Sequence, residues 1–151
     1  MSLTADTLVK FNKEIVKSEI QEIEDFIERY RWKMQTSPTG LRYLVSREGQ
    51  GLMPVKGETV VLKYDLKLLN GRSLYNSEKS GLREFVIGTG SVENGLEEGV
   101  LLLRPGDHAK LIVPSHLAFG LLGDLKEIPE RAVLVYDIEL VAVKPQKTKN
   151  K

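Results

Sequence analysis

The stretch Val60-Val61-Leu62-Lys63-Tyr64-Asp65-Leu66-Lys67-Leu68 puts Val60, Leu62, Tyr64, Leu66 and Leu68 on one side of an extended chain. A period of two belongs to a strand with one buried face. The run leads into Leu69-Asn70-Gly71, and an Asn-Gly pair after alternating apolar residues signals a hairpin, because both residues tolerate positive φ. The same rhythm recurs upstream at Leu41, Tyr43 and Val45 and downstream at Ala109, Leu111 and Val113. It returns at Leu134, Tyr136, Ile138, Leu140 and Ala142. Residues 39–144 therefore read as an antiparallel sheet of about five strands. One interruption has a different period, with Val92, Leu96 and Val100 at i, i+4 and i+8. These predict a short helix, which has to bury its stripe against the sheet because a helix of that length does not hold alone in water. Pro105-Gly106 turns the chain into the next strand. The fold class is α+β, one sheet curled over one helix.

Ahead of the sheet, Val16, Ile20, Ile23, Ile27, Tyr30 and Met34 are spaced 4, 3, 4, 3 and 4. That is an a/d stripe, and it predicts an amphipathic helix over the first 35 residues. Asp6 is a candidate N-cap, and Pro38-Thr39-Gly40 is the expected stop. Such a helix either folds back on its own domain or serves as an arm that joins a partner, a second copy of the chain included. Behind the sheet, residues 145–151 carry Lys147, Lys149 and Lys151 and read as a disordered basic tail. The expected organisation is an arm over 1–38, a domain over 39–144 and the tail.

Composition removes several chemistries. The 151 residues, 41% hydrophobic and 28% charged, suit one soluble domain with an appendage. Zero cysteines exclude a disulfide scaffold, a thiolate metal site and a cysteine nucleophile. With 22 Lys and Arg against 21 Asp and Glu there is no global pull toward nucleic acid. No apolar run approaches the roughly 20 residues of a membrane span. His108 and His116 do not form a metal pair, Gly88-Thr89-Gly90 lacks the third glycine of a dinucleotide loop, and no Gly-x-Ser-x-Gly is present. Neither metal nor cofactor is expected. What remains is a supply of apolar and aromatic residues at strand ends and in loops, Tyr64, Tyr75, Phe85, Phe119, Ile128 and Tyr136 among them. The long loop 114–131 carries Leu117, Leu121, Leu122 and Leu125 as well, so it should fold over something apolar.

These residues fall within motifs that resemble the FKBP-type peptidyl-prolyl isomerases from Thr39 to Lys144. The motifs are Lys56-Gly-Glu-Thr-Val-Val-Leu-Lys-Tyr64, Leu69-Asn-Gly-Arg, Glu84-Phe-Val-Ile-Gly88 and Val92-Glu-Asn-Gly-Leu-Glu-Glu-Gly-Val100. Arg104-Pro-Gly-Asp-His-Ala-Lys110, Leu117-Ala-Phe-Gly120, Glu127-Ile-Pro129 and Val133-Leu-Val-Tyr-Asp-Ile-Glu-Leu140 follow in order. The resemblance implies an FKBP-like antiparallel half-barrel wrapped around one short helix, with an apolar pocket between them. It implies catalytic roles for Tyr64, Phe119, Ile128 and Tyr136, the backbone N–H of Ile128 gripping a substrate carbonyl. Leu74, Tyr75, Phe85, Val92, Glu93 and Leu96 would contact the substrate, a proline-containing polypeptide. The implied activity is peptidyl-prolyl cis-trans isomerisation in the service of protein folding, with a catalytically weak peptide-binding or chaperone module as the alternative.

Several positions depart from the family pattern. Leu96 stands where tryptophan is common, Leu74-Tyr75-Asn76 lacks the usual aspartate, and Phe119 lacks the usual hydroxyl. Arg83 and Glu93 occupy positions where apolar residues are common, so the polar network that buttresses the family's pocket reads as missing. Arg31-Trp-Lys-Met-Gln35 and Leu117-Ala-Phe-Gly-Leu look similar to exported bacterial FKBP-type proteins associated with gliding motility. That likeness implies a periplasmic or outer-membrane-anchored setting, with the leader and its lipidated cysteine outside this chain. The alternative is cytoplasmic.

Overall fold

The computed structural model describes residues 5–118, 128 and 131–146, with residues 5–17 described by backbone alone. The chain divides into two compact units, Met1–Lys33 and Met34–Lys151. Among the described residues no helix is long and apolar enough to cross a membrane.

In the first unit a single helix, α1, runs Ala5–Tyr30. It stops short of the predicted end near residue 35. Arg31 adopts a left-handed φ of 55°, its N–H donates to the Glu28 carbonyl, and the Trp32 N–H donates to Ile27, each at 3.2 Å. This nested pair of bonds is the Schellman termination. An apolar contact goes with it: the Trp32 ring meets Phe26 edge-on at 5.4 Å, and Tyr30 packs on Phe26 at 4.7 Å. An aromatic clasp thus ends the helix before Met34, which the spacing had placed on the stripe.

The second unit is one antiparallel sheet with short helices. Its strands are β1 (Gln35–Thr36), β2 (Arg42–Ser46), β3 (Thr59–Leu68), β4 (Ser73–Asn76), β5 (Arg83–Val86), β6 (His108–Val113) and β7 (Leu134–Lys144). Helix α2 (Ser77–Ser80) follows β4, and α3 (Asn94–Val100) follows β5. The strand order is β1-β2-β6-β7-β3-β4, with β5 also on β3. Among the described residues seven strands replace the expected five, because the short pieces β1 and β5 are too brief to show a period.

The hairpin forms at its predicted place as a three-residue loop. Gly71, at φ 88°, donates its N–H to Leu68, and Leu68 donates to Arg72, both at 3.0 Å. Arg104-Pro105-Gly106-Asp107 also turns as expected, with Gly106 at φ 95° and the Asp107 N–H on Arg104 at 2.9 Å. The Asp107 carboxylate accepts from the backbone N–H of Gly49 (2.8 Å) and Arg104 (2.9 Å) and from Arg47 Nη1 (3.1 Å). Burial works to raise its pKa, but the Arg104 and Gly49 N–H groups and then the Arg47 guanidinium outweigh that and hold it below its ordinary value.

Two sequence expectations shift. A bulge at Val141 sets Val61 opposite Ala142 but Leu62 opposite Leu140, so Val143, opposite Val60, rejoins the core in place of Ala142. The predicted helix begins at Asn94 rather than Val92, since Glu93 is extended at φ −61° and ψ 146°.

Helix α3 lies against β6 through two glycines on one face. A Cβ on Gly95 would come within 2.4 Å of Val113 Cγ1, and one on Gly99 within 2.5 Å of Leu111 Cδ1. Leu111 and Val113 are fully buried, so neither can swing away. Gly99→Ala should therefore destabilise the protein by about 1–3 kcal/mol through overpacking, read as a lowered urea midpoint at unchanged m-value. A neutral or stabilising result would mean that α3 is free to shift outward.

Candidate functional site

Register across the sheet builds the site. Tyr43, Leu111, Tyr136, Leu66 and Tyr75 stand opposite one another in a row spanning β2, β6, β7, β3 and β4. One rung along the same face come Val45, Ala109, Ile138 and Tyr64. Tyr136 lies at the centre of the row on the central strand and is 1% exposed. From β5, Phe85 (opposite Val60) and Arg83 (opposite Leu62) face the same way. Leu96 of α3 is fully buried in this core with Phe85, Leu117 and Ile128, and Tyr64, Leu74, Tyr75 and Val92 pack half-buried against it.

The structure therefore brings Tyr64, Leu74, Tyr75, Phe85, Val92, Leu96, Ile128 and Tyr136 into one apolar cluster. Leu74 is the extra residue of a β3–β4 bulge, which lets Tyr75 pair with Leu66. Phe119 lies outside the described residues, as do Leu121, Leu122 and Leu125. Both histidines are held by local contacts. His108 Nε2 lies 2.8 Å from Glu139 Oε1, and Nδ1 lies 3.2 Å from Glu48 Oε2, while the His116 ring reaches the Thr39 carbonyl at 2.7 Å.

A polar network is present where the sequence suggested none. The Tyr136 hydroxyl donates to Glu93 Oε1, and Arg83 Nη1 donates to that hydroxyl at 3.2 Å. Arg83 Nη2 reaches Glu93 Oε2 at 3.4 Å. The carboxylate missing after the hairpin is thus supplied from the residue before α3. Glu93 turns its side chain away from capping the helix and inward to Tyr136. Its side chain is fully buried while that of Arg83 is 27% exposed. Burial pushes the Glu93 carboxyl above its ordinary value of 4.5, and the charge of Arg83, the Glu93 N–H and the Arg83 hydrogen bond offset this only in part. The residue that sequence reasoning left out of the site is Arg83. Its signal was available, since a period of two puts it on the buried face with Phe85, where a charge needs a partner.

A carboxyl raised on folding stabilises the native state below its unfolded pKa, and that contribution is lost as pH rises through the folded value. Glu93→Gln should therefore gain thermal stability relative to wild type at pH 7.5, and the difference should shrink toward pH 4. A difference that grows on acidification would show that the charged form is the favoured one.

Residues 51–141 match the FKBP-type peptidyl-prolyl cis-trans isomerase family, and the chain belongs to it. It is 30% identical over 137 residues to the probable FKBP-type isomerase FkpA of Neisseria meningitidis serogroup B, covering 89% of this chain and 50% of that protein. To FkpA of Escherichia coli K12 it is 37% identical over 112 residues, 74% of this chain and 41% of that protein. The chain thus spans about half the length of these relatives or less. FK506-binding protein 1 of Dictyostelium discoideum is 32% identical and is covered over 99% of its length, against 70% of this chain. Among solved structures, Escherichia coli FkpA superposes with a TM-score of 0.76 at 33% identity, over 93% of this chain and 66% of that one. AtFKBP13 superposes at 0.70 and 31% identity, over 75% of this chain and 99% of that one.

Proposed function

We propose that the sheet unit is a peptidyl-prolyl cis-trans isomerase acting on proline-containing polypeptides and assisting their folding. The observation that carries the reading is the inner face itself: Tyr136 buried at the centre of a row of alternating tyrosines and leucines, backed by Phe85 and Leu96, in a chain of the FKBP family. An Xaa-Pro bond rotates over a barrier of roughly 18–20 kcal/mol because rotation breaks amide resonance. The twisted transition state has a less polar carbonyl and a more pyramidal nitrogen. A dry aromatic surface therefore favours it over the planar ground state more than water does. A thousandfold gain needs only about 4 kcal/mol of that preference. In this reading Tyr64, Tyr136 and, by family analogy, Phe119 form the walls. The Ile128 N–H holds the substrate carbonyl, and Leu74, Tyr75, Phe85, Val92, Glu93 and Leu96 hold the flanking chain.

Exchange NMR on a Leu-Pro peptide with catalytic protein tests this, since uncatalysed exchange takes tens to hundreds of seconds. Wild type should give exchange cross-peaks. Tyr136→Ala should lower kcat/KM at least about tenfold, and Tyr136→Phe, which keeps the ring, should lose less. A second reading is favoured by Leu96, which removes the usual aromatic floor: a peptide-binding module with little catalysis. Peptide shifts on titration without cross-peaks would select it.

Helix α1 is assigned in the same proposal to joining two copies of the chain, in an exported bacterial setting. Support comes from Ile20 and Tyr30, stripe residues left 49% and 52% exposed. Sedimentation equilibrium should give a dimer mass that Ile20→Glu converts to monomer. A monomer mass for the wild type would remove this role.

A further inference from the structure

We propose that Arg83 makes the site select an acidic side chain next to the proline. The inference rests on the isomerase reading for where the peptide lies, and goes beyond it by naming the residue that chooses the sequence.

Arg83 opens β5 with its side chain on the inner face, in line with Phe85. A guanidinium has five N–H donors in a rigid plane. Two are committed, Nη1 to the Tyr136 hydroxyl and Nη2 toward Glu93 Oε2. Among the described residues the others have no partner, and the side chain keeps 27% of its surface exposed while Glu93 has none. The plane is therefore fixed from its buried side and presents donors on its open side. The internal partner is also a poor one. At 3.4 Å the Arg83–Glu93 contact is well beyond the roughly 2.7–2.9 Å of a good charge-assisted bond. A carboxylate arriving from solvent can take the fork geometry that Glu93 does not use.

The surroundings make this charge selective. Arg83 stands opposite Leu62 and in line with Phe85, both buried and apolar, and its own carboxylate partner, Glu93, has no exposed surface, so a cationic side chain brought to the open side meets the guanidinium and is repelled. A neutral amide of the same shape would gain only an ordinary hydrogen bond. The fixed fork also removes most of the ordering cost that a surface arginine pays.

The test compares peptides that differ only in Glu or Gln, placed either before or after the proline. Each is measured for kcat/KM by exchange NMR and for Kd by resonance shifts. Wild type should favour Glu over Gln by about fivefold at one of the two positions, less at high salt. Arg83→Leu should bring the ratio to about one, and Arg83→Lys, which keeps the charge but not the fork, should retain part of it. Glu93→Gln should enlarge the ratio by removing the internal competitor, a result expected even if Arg83→Leu fails to fold. A ratio of one at both positions in wild type, or a ratio that survives Arg83→Leu, overturns the proposal. If all variants lower every peptide equally, the network is only a brace and the proposal fails. The two readings separate cleanly. Turnover without charge preference removes the role of Arg83 alone, and charge-selective binding without turnover removes the isomerase alone.

Discussion

The ladder between β3 and β7 is the constraint on which the rest depends. It runs from Thr59 opposite Lys144 to Leu68 opposite Leu134, and the other strands are attached to its two members directly or in series. β6 and β2 extend the sheet beyond β7, while β4 and β5 share the far edge of β3. Because side chains alternate, the register of this one pair decides which residues face α3. A slip of one residue would put Tyr136, Ile138 and Leu140 on the outside together. The bulge at Val141 confines the correction to one end, leaving the register around Tyr136 intact. Close approach of α3, permitted by Gly95 and Gly99, then packs the helix on β6 against Val113 and Leu111.

Against that apolar background the Arg83–Glu93–Tyr136 network is costly. Taking a carboxylate out of water costs several kcal/mol, and an ion pair seldom returns all of it. Here the pairing distance is long and the carboxyl is raised on balance. Asp107 makes the contrast within the same molecule. It is equally buried, yet two backbone N–H groups and a guanidinium converge on it, and it is held below its ordinary value. Asp107 has the satisfaction expected of a structural carboxylate, and Glu93 does not. Of the two, Glu93 is the one whose burial its partners do not fully offset.

Much of this was legible in the sequence, and the residues show why. The alternation of Val60 to Leu68, the Asn70-Gly71 turn, the Pro105-Gly106 turn and the Leu96/Val100 stripe are local patterns that only one backbone conformation satisfies. What escaped was set by contacts that periodicity does not encode. The end of α1 depends on Trp32 finding Phe26. The loss of Ala142 from the core depends on a bulge that no residue type announces. The polar network is not local either: its carboxylate comes from Glu93, ahead of α3, rather than from the segment after the hairpin, and it meets Arg83 of β5 and Tyr136 of β7. Periodicity tells which face a side chain takes, but not which side chain it meets there.

The far edge of β3 is built in an unusual way. β5 covers Thr59 to Leu62 and β4 covers Asp65 to Lys67, so a gap opens between them at Tyr64. The Ser77 hydroxyl fills it, accepting the Tyr64 N–H at 3.2 Å, and α2 carries that serine there, capped by the Asn76 side chain on Lys79 at 2.9 Å. A side chain thus takes the place of a strand for one rung. The outer edge is therefore two four-residue pieces interrupted by a helical turn rather than one long ribbon. Neither piece offers a neighbouring chain a continuous ladder to extend. On this side the sheet resists the addition of a further strand, and the side-chain rung at Ser77 is what breaks the ladder that such a strand would need.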